Sequence, residues 1–568
     1  MKQRSALIVI LLLSAVLRLV SLDKYPAGFT PDEASFGYDA FSILKTGKDQ
    51  WGRFLPLFLE SFGDFKPPLY AYLTIPSIAI FGLTKFATRF PNALVGVSAV
   101  YATYLLVKEL GSFKKNQFVV GNQQLLAGVA ALLLAISPWH IQMSRGAFEA
   151  NLTTFFLPSG VYLFLKGLKK NKYLVWSSVI FGLNLFSYHS ARFVVPSFII
   201  FLAFIFWRDL VKLKRKGLYL SLIVFLAFIF ASFYTYTQGA GRRVSDVSVF
   251  RGALEAQAEA RLAAIEAGMN PVVARILHNK YQIAVDRFLG NYRQYFSSKF
   301  LFKDGSGEAT YGMVPGIGVL YWLELPLLTG FIIMLFKNRG QALLIIFFWI
   351  LVSFVPASLT TGVGFAGNRA AVAMPAFQIA EAFGFWGIYE ILKTKLPGRL
   401  LAACFTAVFL VLFTFFLLFL RDYFFAGSYK LARGMLFGNL EVAYWLILND
   451  QEKNEVVVSR KLSEPHIYIA FASAWDPKDY QRNTASWIRY KESGLTFLDQ
   501  LESYGLNKYV FRNIKDSDFQ LAQDTFFVGK PDEFPQGIDV IKRFVYPDGD
   551  PAILIAAYFK EIYAQKIY

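Results

Sequence analysis

Charge, thiols and histidine are all scarce in this chain of 568 residues. Charged residues make up 17% of it, against about a quarter in an ordinary soluble domain, which excludes a wholly soluble globule. The single cysteine, Cys404, sits in an apolar run, so neither an internal disulfide framework nor a thiolate metal cluster is available. The four histidines, His140, His189, His278 and His466, are scattered without zinc-ligand spacing. What is abundant is apolar: 55% of residues are hydrophobic, and 59 phenylalanines outnumber the 40 acidic residues. Apolar runs of spanning length recur as far as about position 420, the pattern of a polytopic membrane protein.

Charge divides the chain in two. Residues 421–568 carry 18 Lys+Arg and 20 Asp+Glu, a net of −2, so the whole-chain +18 leaves +20 for residues 1–420. A basic membrane region is explained by the cytoplasmic excess of Lys and Arg that orients spans, and no interleaved basic and aromatic patch points to nucleic acid.

Spans are expected near 5–22, 88–107, 124–138, 149–166, 173–188, 193–208, 218–236, 313–336, 341–358, 372–392 and 398–420, eleven in all. The first reads as a retained helix, because no small-residue cleavage site follows Leu22 and Arg18 lies within it. With the N-terminus inside, nineteen cations fall in cytoplasmic loops, among them Lys114, Lys115 and Arg339, against three (Arg145, Arg192, Arg369) in the short opposite loops. Segment 67–82 is apolar but only 16 residues long with three prolines, and is expected at the outer interface. Odd parity then puts the C-terminus outside, in the plasma or inner membrane. The expected organisation is a transmembrane domain over 1–420, with exterior segments 23–87 and 237–312, and an extracytoplasmic α/β or α+β domain over 421–568. Segment 251–268 reads as an Ala/Glu/Arg helix, and runs 455–459, 466–471, 508–513 and 552–558 read as strands.

Ionisable groups at the membrane face of exterior loops are costly and need partners. They gather in YPAGFTPDEASFGYDA (Asp32, Glu33), GDFKPPLY (Asp64, Lys66), SPWHIQMSRGAFEA (Arg145 and Glu149 at i,i+4), YHSARFVVP (Tyr188, His189, Arg192) and TTGVGFAGNRAAVAMP (Arg369). Carboxylates with cations on one face suit deprotonation of an acceptor hydroxyl and neutralisation of a phosphate leaving group. Each residue alone has an ordinary explanation, such as a helix cap, a helical ion pair or an anchor to lipid headgroups. Their coincidence on one side carries the reading.

These motifs, with RFPNAL (89–94), KFLFKDGS and LYWLELPLLTG, resemble the polyprenyl-phosphate-sugar-dependent glycosyltransferases of the GT-C fold, in the family 39-like branch related to protein O-mannosyltransferases and the lipid A aminoarabinose transferase. The resemblance implies that Asp32 is the general base with Glu33 assisting, and that Glu149 is the second acidic position. It further implies that Lys66 contacts the donor phosphate and that Arg145, Arg192 and Arg369 line the phosphate pocket, with Asp64, Tyr188 and His189 nearby. One departure is that Ala309 and Thr310 stand where relatives often carry a histidine. The implied reaction is inverting transfer of a sugar from a polyprenyl phosphate to a lipid, protein or cell-wall hydroxyl, with no cofactor required. If a divalent ion (Mg or Mn) takes part, Asp32, Glu33 and Glu149 are the candidate ligands. The rival readings are en bloc oligosaccharide transfer from a diphosphate carrier and a lipid-linked sugar transporter or flippase, which calls for ionisable groups at mid-membrane. The C-terminal domain is expected to recognise acceptor without supplying an acid or base.

Overall fold

The computed structural model describes residues 2–112, 122–237, 248–250, 253–338, 340–360, 365–451, 453–521 and 525–557. Lys114, Lys115 and Arg339 of the loop charge count, residues 251–252 of the polar helix and Tyr558 of the last strand lie outside the described residues.

The N-terminal three-quarters is helical. Its first helices are α1 Lys2–Leu19, α2 Pro31–Thr46, α3 Leu69–Phe81, α4 Lys85–Gly111, α5 Gln123–Ile136, α6 Pro138–Met143, α7 Thr153–Gly167, α8 Lys172–Asn184, α9 Ala191–Ile205, α10 Trp207–Leu210 and α11 Arg215–Thr235. Helices Ala253–Glu266, Pro271–Leu277 and Lys280–Gln294 follow, then apolar helices Leu325–Asn338, Gln341–Ser353, Met374–Lys395 and Gly398–Arg421. Among the described residues, five helical segments are long and apolar enough to cross a membrane: Lys85–Gly111, Arg215–Thr235, Gln341–Ser358, Ala371–Lys395 and Gly398–Ala432. A helix underlies every expected span, although the one expected over 313–336 begins only at Leu325. Residues 313–321 turn without helix, Gly316 having φ 83°, and the Glu324 carboxylate receives the Tyr321 N–H at 2.8 Å to start the helix.

Segment 67–82 is α3, a 13-residue helix with Pro76 inside. At 1.5 Å per residue it is about 20 Å long, short of the roughly 30 Å of a bilayer core. Arg18 is buried in α1 and donates to the carbonyls of Leu134 and Ala135 at the end of α5 and to Nδ1 of His140 at 2.7 Å, so α1 is part of the bundle. The main apolar core runs from Leu17 of α1 through α4, α5, α7 and α9 to the 374–395 helix.

Beyond residue 450 lies a mixed sheet of order β4-β5-β3-β6-β8-β7, built from β3 Glu455–Val458, β4 Tyr504–Leu506, β5 Tyr509–Phe511, β6 Thr525–Gly529, β7 Val540–Val545 and β8 Pro551–Ala557. Strand β3 runs parallel to β5 and β6, and the outer pairs are antiparallel. Residues 466–471, expected as a strand, form the helix Pro465–Ala472. Proline at its first position presets a helical φ, and the helix is buried from Pro465 to Phe471, so it shows no amphipathic period to distinguish it from a buried strand.

The apolar core of this C-terminal region is not its own. Phe29, Ala34, Tyr38 and Phe62 from the first 65 residues belong to it. The Pro465–Ala472 helix packs along α2, the Tyr468 hydroxyl donates to the Phe29 carbonyl at 2.7 Å, and the Tyr38 hydroxyl to that of Trp475 at 3.0 Å. Gly28, at φ 94°, is where the backbones meet: a Cβ there would lie 2.4 Å from the Met435 carbonyl oxygen.

Candidate active site

Helix α2 begins with a capping box. Thr30 is the N-cap, Pro31 the first helical residue, and the Glu33 carboxylate returns to the Thr30 N–H. That geometry separates the two adjacent carboxylates, because consecutive helical residues point about 100° apart.

Glu33 turns inward and is fully buried. Arg89 of α4 grips it through Nε to Oε1 at 2.7 Å and Nη2 to Oε2 at 3.0 Å, and the Ala147 N–H donates to Oε1 at 3.0 Å. Arg89 also donates to the carbonyls of Leu22, Pro26 and Gly28. Both Glu33 oxygens are thus committed to tying the 22–30 loop to α4 and to the 147–149 turn. Of the two adjacent carboxylates expected at the site, Glu33 is the buried, ion-paired one.

Asp32 turns outward and is 44% exposed, with Lys66 Nζ 2.5 Å from its Oδ1, while Lys66 itself is 2% exposed. Lys66 ends a hairpin of β1 Leu59–Ser61 and β2 Asp64–Lys66, in which Asp64 pairs with Ser61 and shares a face of β2 with Lys66. The Lys66 ammonium lies 4.9 Å from the Phe36 ring centre and 5.9 Å from that of Phe62. The ion pair thus joins a buried ammonium to a half-exposed carboxylate.

The hairpin is joined to a cavity of about 500 Å³. His189 is the link: its Nε2 donates to the carbonyl of Phe65, one residue before Lys66, at 2.8 Å, and the ring lines the cavity with Tyr188, Arg192, Tyr236, Thr360 and Arg369. Arg192 lies over the Tyr236 ring at 5.0 Å and keeps a buried Nη1 with no hydrogen-bond partner. Arg369 donates to the Thr360 hydroxyl at 2.7 Å. The neighbouring Asn368 bridges Tyr188 and Glu308, its Nδ2 donating to the Tyr188 hydroxyl and its N–H to Glu308 Oε2. Burial pushes the Glu308 carboxyl up to about 7, opposed by the Asn368 N–H and the Arg369 charge.

Arg145 is fully buried and is not among the residues lining the cavity; it donates to the carbonyls of Leu17, Val20, Ser21 and Tyr25, closing the end of α1. Nor do Arg145 and Glu149 share a helical face. The chain leaves α6 at Met143, turns, and enters a 3₁₀ turn at Glu149 through Phe148 in extended conformation (φ −99°, ψ 98°). Glu149 is 8% exposed in the loop that meets Glu33 through Ala147. Among the described residues no three His, Cys, Asp or Glu side chains are arranged to hold a metal ion; Asp32, Glu33 and Glu149 do not fit as a three-ligand set, because Arg89 occupies Glu33. Arg89, Glu308 and Asn368 are missing from the site read in the sequence, although Arg89 opens the RFPNAL motif.

Residues 65–234 match the model of the dolichyl-phosphate-mannose-protein mannosyltransferase family. This stretch contains Lys66, Arg89, Glu149, His189 and Arg192 but neither Asp32 nor Arg369. An uncharacterised protein of Aquifex aeolicus is 28% identical over 205 residues, 36% of this chain and 38% of that one. YycA of Bacillus subtilis, provisionally named a mannosyltransferase, is 30% identical over 165 residues, 28% of this chain and 22% of that one. The chain thus matches well under half the length of these curated relatives. The crystal structure of apo ArnT from Cupriavidus metallidurans superposes over 98% of both chains with a TM-score of 0.53 at 12% identity, a likeness of fold. The segment match and the full-length likeness point the same way: residues 65–234 are similar to the dolichyl-phosphate-mannose-protein mannosyltransferases, and the chain as a whole shares the fold of ArnT.

Proposed function

We propose that the protein transfers a sugar from a polyprenyl-phosphate donor to an acceptor hydroxyl, with inversion, on the extracytoplasmic side of an eleven-span membrane domain. The observation that carries this reading is the pairing of buried Lys66 with half-exposed Asp32 on a hairpin that the Phe65–His189 hydrogen bond ties to a cavity lined by Arg192 and Arg369.

The donor phosphate enters the cavity as an anion, for which the unpartnered Nη1 of Arg192 and the guanidinium of Arg369 are donors in a water-poor setting. Lys66 turns from Asp32 to the phosphate, which frees the Asp32 carboxylate. Asp32 takes the proton of the acceptor hydroxyl, the oxygen attacks the anomeric carbon from the face opposite the phosphate, and the carbon–oxygen bond to phosphate breaks. The electron pair stays on the phosphate, where Lys66, Arg192 and Arg369 stabilise it. A phosphate monoester is a sufficient leaving group for this set of cations, so the proposal includes no divalent ion. Residues 421–568 are assigned as an extracytoplasmic domain covering α2.

The test is transfer of labelled sugar from synthetic polyprenyl-phosphate donors by the purified full chain in detergent, before and after chelation. Release of polyprenyl phosphate with an inverted product supports the reading; turnover only with diphosphate-linked donors replaces it with en bloc transfer.

A further inference from the structure

The hairpin that carries Lys66 is too small to fix its own position. Strands β1 and β2 have three residues each, joined through Phe62 and Gly63, and an isolated two-stranded ribbon is marginal in water. Its place is set by what grips it. On one side His189 of the cavity wall holds the Phe65 carbonyl at 2.8 Å. On another, Ser61 Oγ lies 2.6 Å from Ser35 Oγ of α2, one helical turn beyond Asp32. The third grip comes from the C-terminal region. The Leu498 N–H donates to the Phe62 carbonyl at 3.1 Å, and Gly63, at φ 103°, sits so close that a Cβ would collide with the Thr496 carbonyl oxygen.

Glu60 is the centre of that third grip. It is 3% exposed and is the cross-strand partner of Phe65. Its Oε1 receives the Tyr490 hydroxyl at 3.0 Å and pairs with the Lys491 ammonium, while its Oε2 pairs with Arg53 at 2.5 Å. The Lys491 ammonium also lies 5.5 Å from the Phe65 ring centre. Glu60 and Phe65 share one face of the hairpin, and Leu59 and Lys66 the other. Whatever Glu60 does for Lys66 therefore passes through the backbone between them.

Resting on the reading of Lys66 as the donor-phosphate cation, we propose that Glu60 is a positioning residue for Lys66, held in place by Tyr490 and Lys491 of the C-terminal region: the clamp fixes the backbone from which the ammonium swings between Asp32 and the donor phosphate. From one backbone position Lys66 has to serve both Asp32 and a phosphate beside Arg192 and Arg369, and misplacing such a group by about 1 Å is costly. With the Glu60 clamp released, the hairpin keeps its ties to His189 and Ser35 but loses the side-chain tie that holds it against the C-terminal region, and Lys66 spends less of its time within reach of the phosphate.

The experiment measures binding of a short-chain polyprenyl monophosphate to the full chain in detergent at neutral pH. Lys491→Met and Glu60→Gln remove charges of opposite sign. Attraction of the phosphate through space would make the first weaken binding and the second strengthen it; positioning makes both weaken it, by about three- to tenfold. Lys491→Arg keeps the cation and is expected to stay within about twofold of the wild type. In a Lys66→Ala background Lys491→Met should cost less than about twofold, because the residue through which it acts is gone. Tyr490→Phe changes no charge, is expected to weaken binding in the same direction, and serves if Glu60→Gln does not fold. Opposite signs for Lys491→Met and Glu60→Gln, unchanged binding in Tyr490→Phe, or a Lys491→Met loss that persists in full without Lys66 overturns the inference while the donor reading stands. A wild type that binds no phosphate rejects the donor reading, and the positioning role falls with it.

Discussion

Asp32 and Glu33 occupy such different surroundings that their amides should fail for different reasons. Asp32→Asn keeps shape and removes the proton acceptor, so turnover should drop by about 10²–10⁴-fold with donor affinity largely kept; a steady-state assay separates the two. Lys66→Ala should instead weaken donor binding by about 1.5–3 kcal/mol, the worth of a charge-assisted contact, and slow phosphate departure as well. Glu33→Gln leaves Arg89 buried without its counter-ion, a change that costs about 3–5 kcal/mol in such pairs. It should lower the melting temperature in detergent, with whatever folds retaining donor affinity. A thermally normal but inactive Glu33→Gln would return Glu33 to the chemistry. The sequence made the first exterior loop conspicuous, because a carboxylate pair at a membrane face needs a reason. Adjacency alone did not rank the pair, and only the resemblance put Asp32 first, since which residue a capping box turns inward depended on Arg89, 56 positions away. Arg145 and Arg192 were equally plausible in sequence; only the carbonyls of residues 17–25 around one, and a cavity beside the other, distinguish them.

At the scale of elements, the apolar helices were legible because a spanning run has few alternatives, whereas the Pro465–Ala472 helix was not. Its six apolar residues after a proline fit a buried strand as well as a buried helix, and Pro465 at the first helical position was the available signal. Packing between helices makes a further prediction. In the 374–395 helix, a Cβ on Gly384 would lie 1.8 Å from the Leu327 carbonyl oxygen, whereas one on Gly128 of α5 meets nothing within 4 Å. Small residues allow such close backbone approach between membrane helices. Gly384→Ala should therefore force the Leu325–Asn338 helix away and lower the melting temperature by several degrees, while Gly128→Ala, which gains about 0.5–1 kcal/mol of helix propensity, should leave it equal or higher.

For the whole molecule, the loop charge count over eleven spans predicts an extracytoplasmic C-terminus. A reporter active only outside the cytoplasm, fused after Tyr568, should work; activity of a cytoplasmic reporter alone would make α3 a true span and invert the loops after it. The change of charge near residue 420 was readable, but the shared core was not, because hydropathy does not reveal that Phe29, Ala34 and Tyr38 pack beneath a sheet more than 400 residues later.

That long return has a consequence in time. The carbonyl of Phe29 waits for the hydroxyl of Tyr468, 439 residues further on, and at about 5–20 residues per second a ribosome needs roughly twenty to ninety seconds to deliver it. Throughout that interval Asp32 and Lys66 are already made, yet the flank of α2 that the late helix covers is bare. The surroundings of α2 are therefore completed among the last events of biosynthesis, and a chain released early carries Asp32 and Lys66 without that cover.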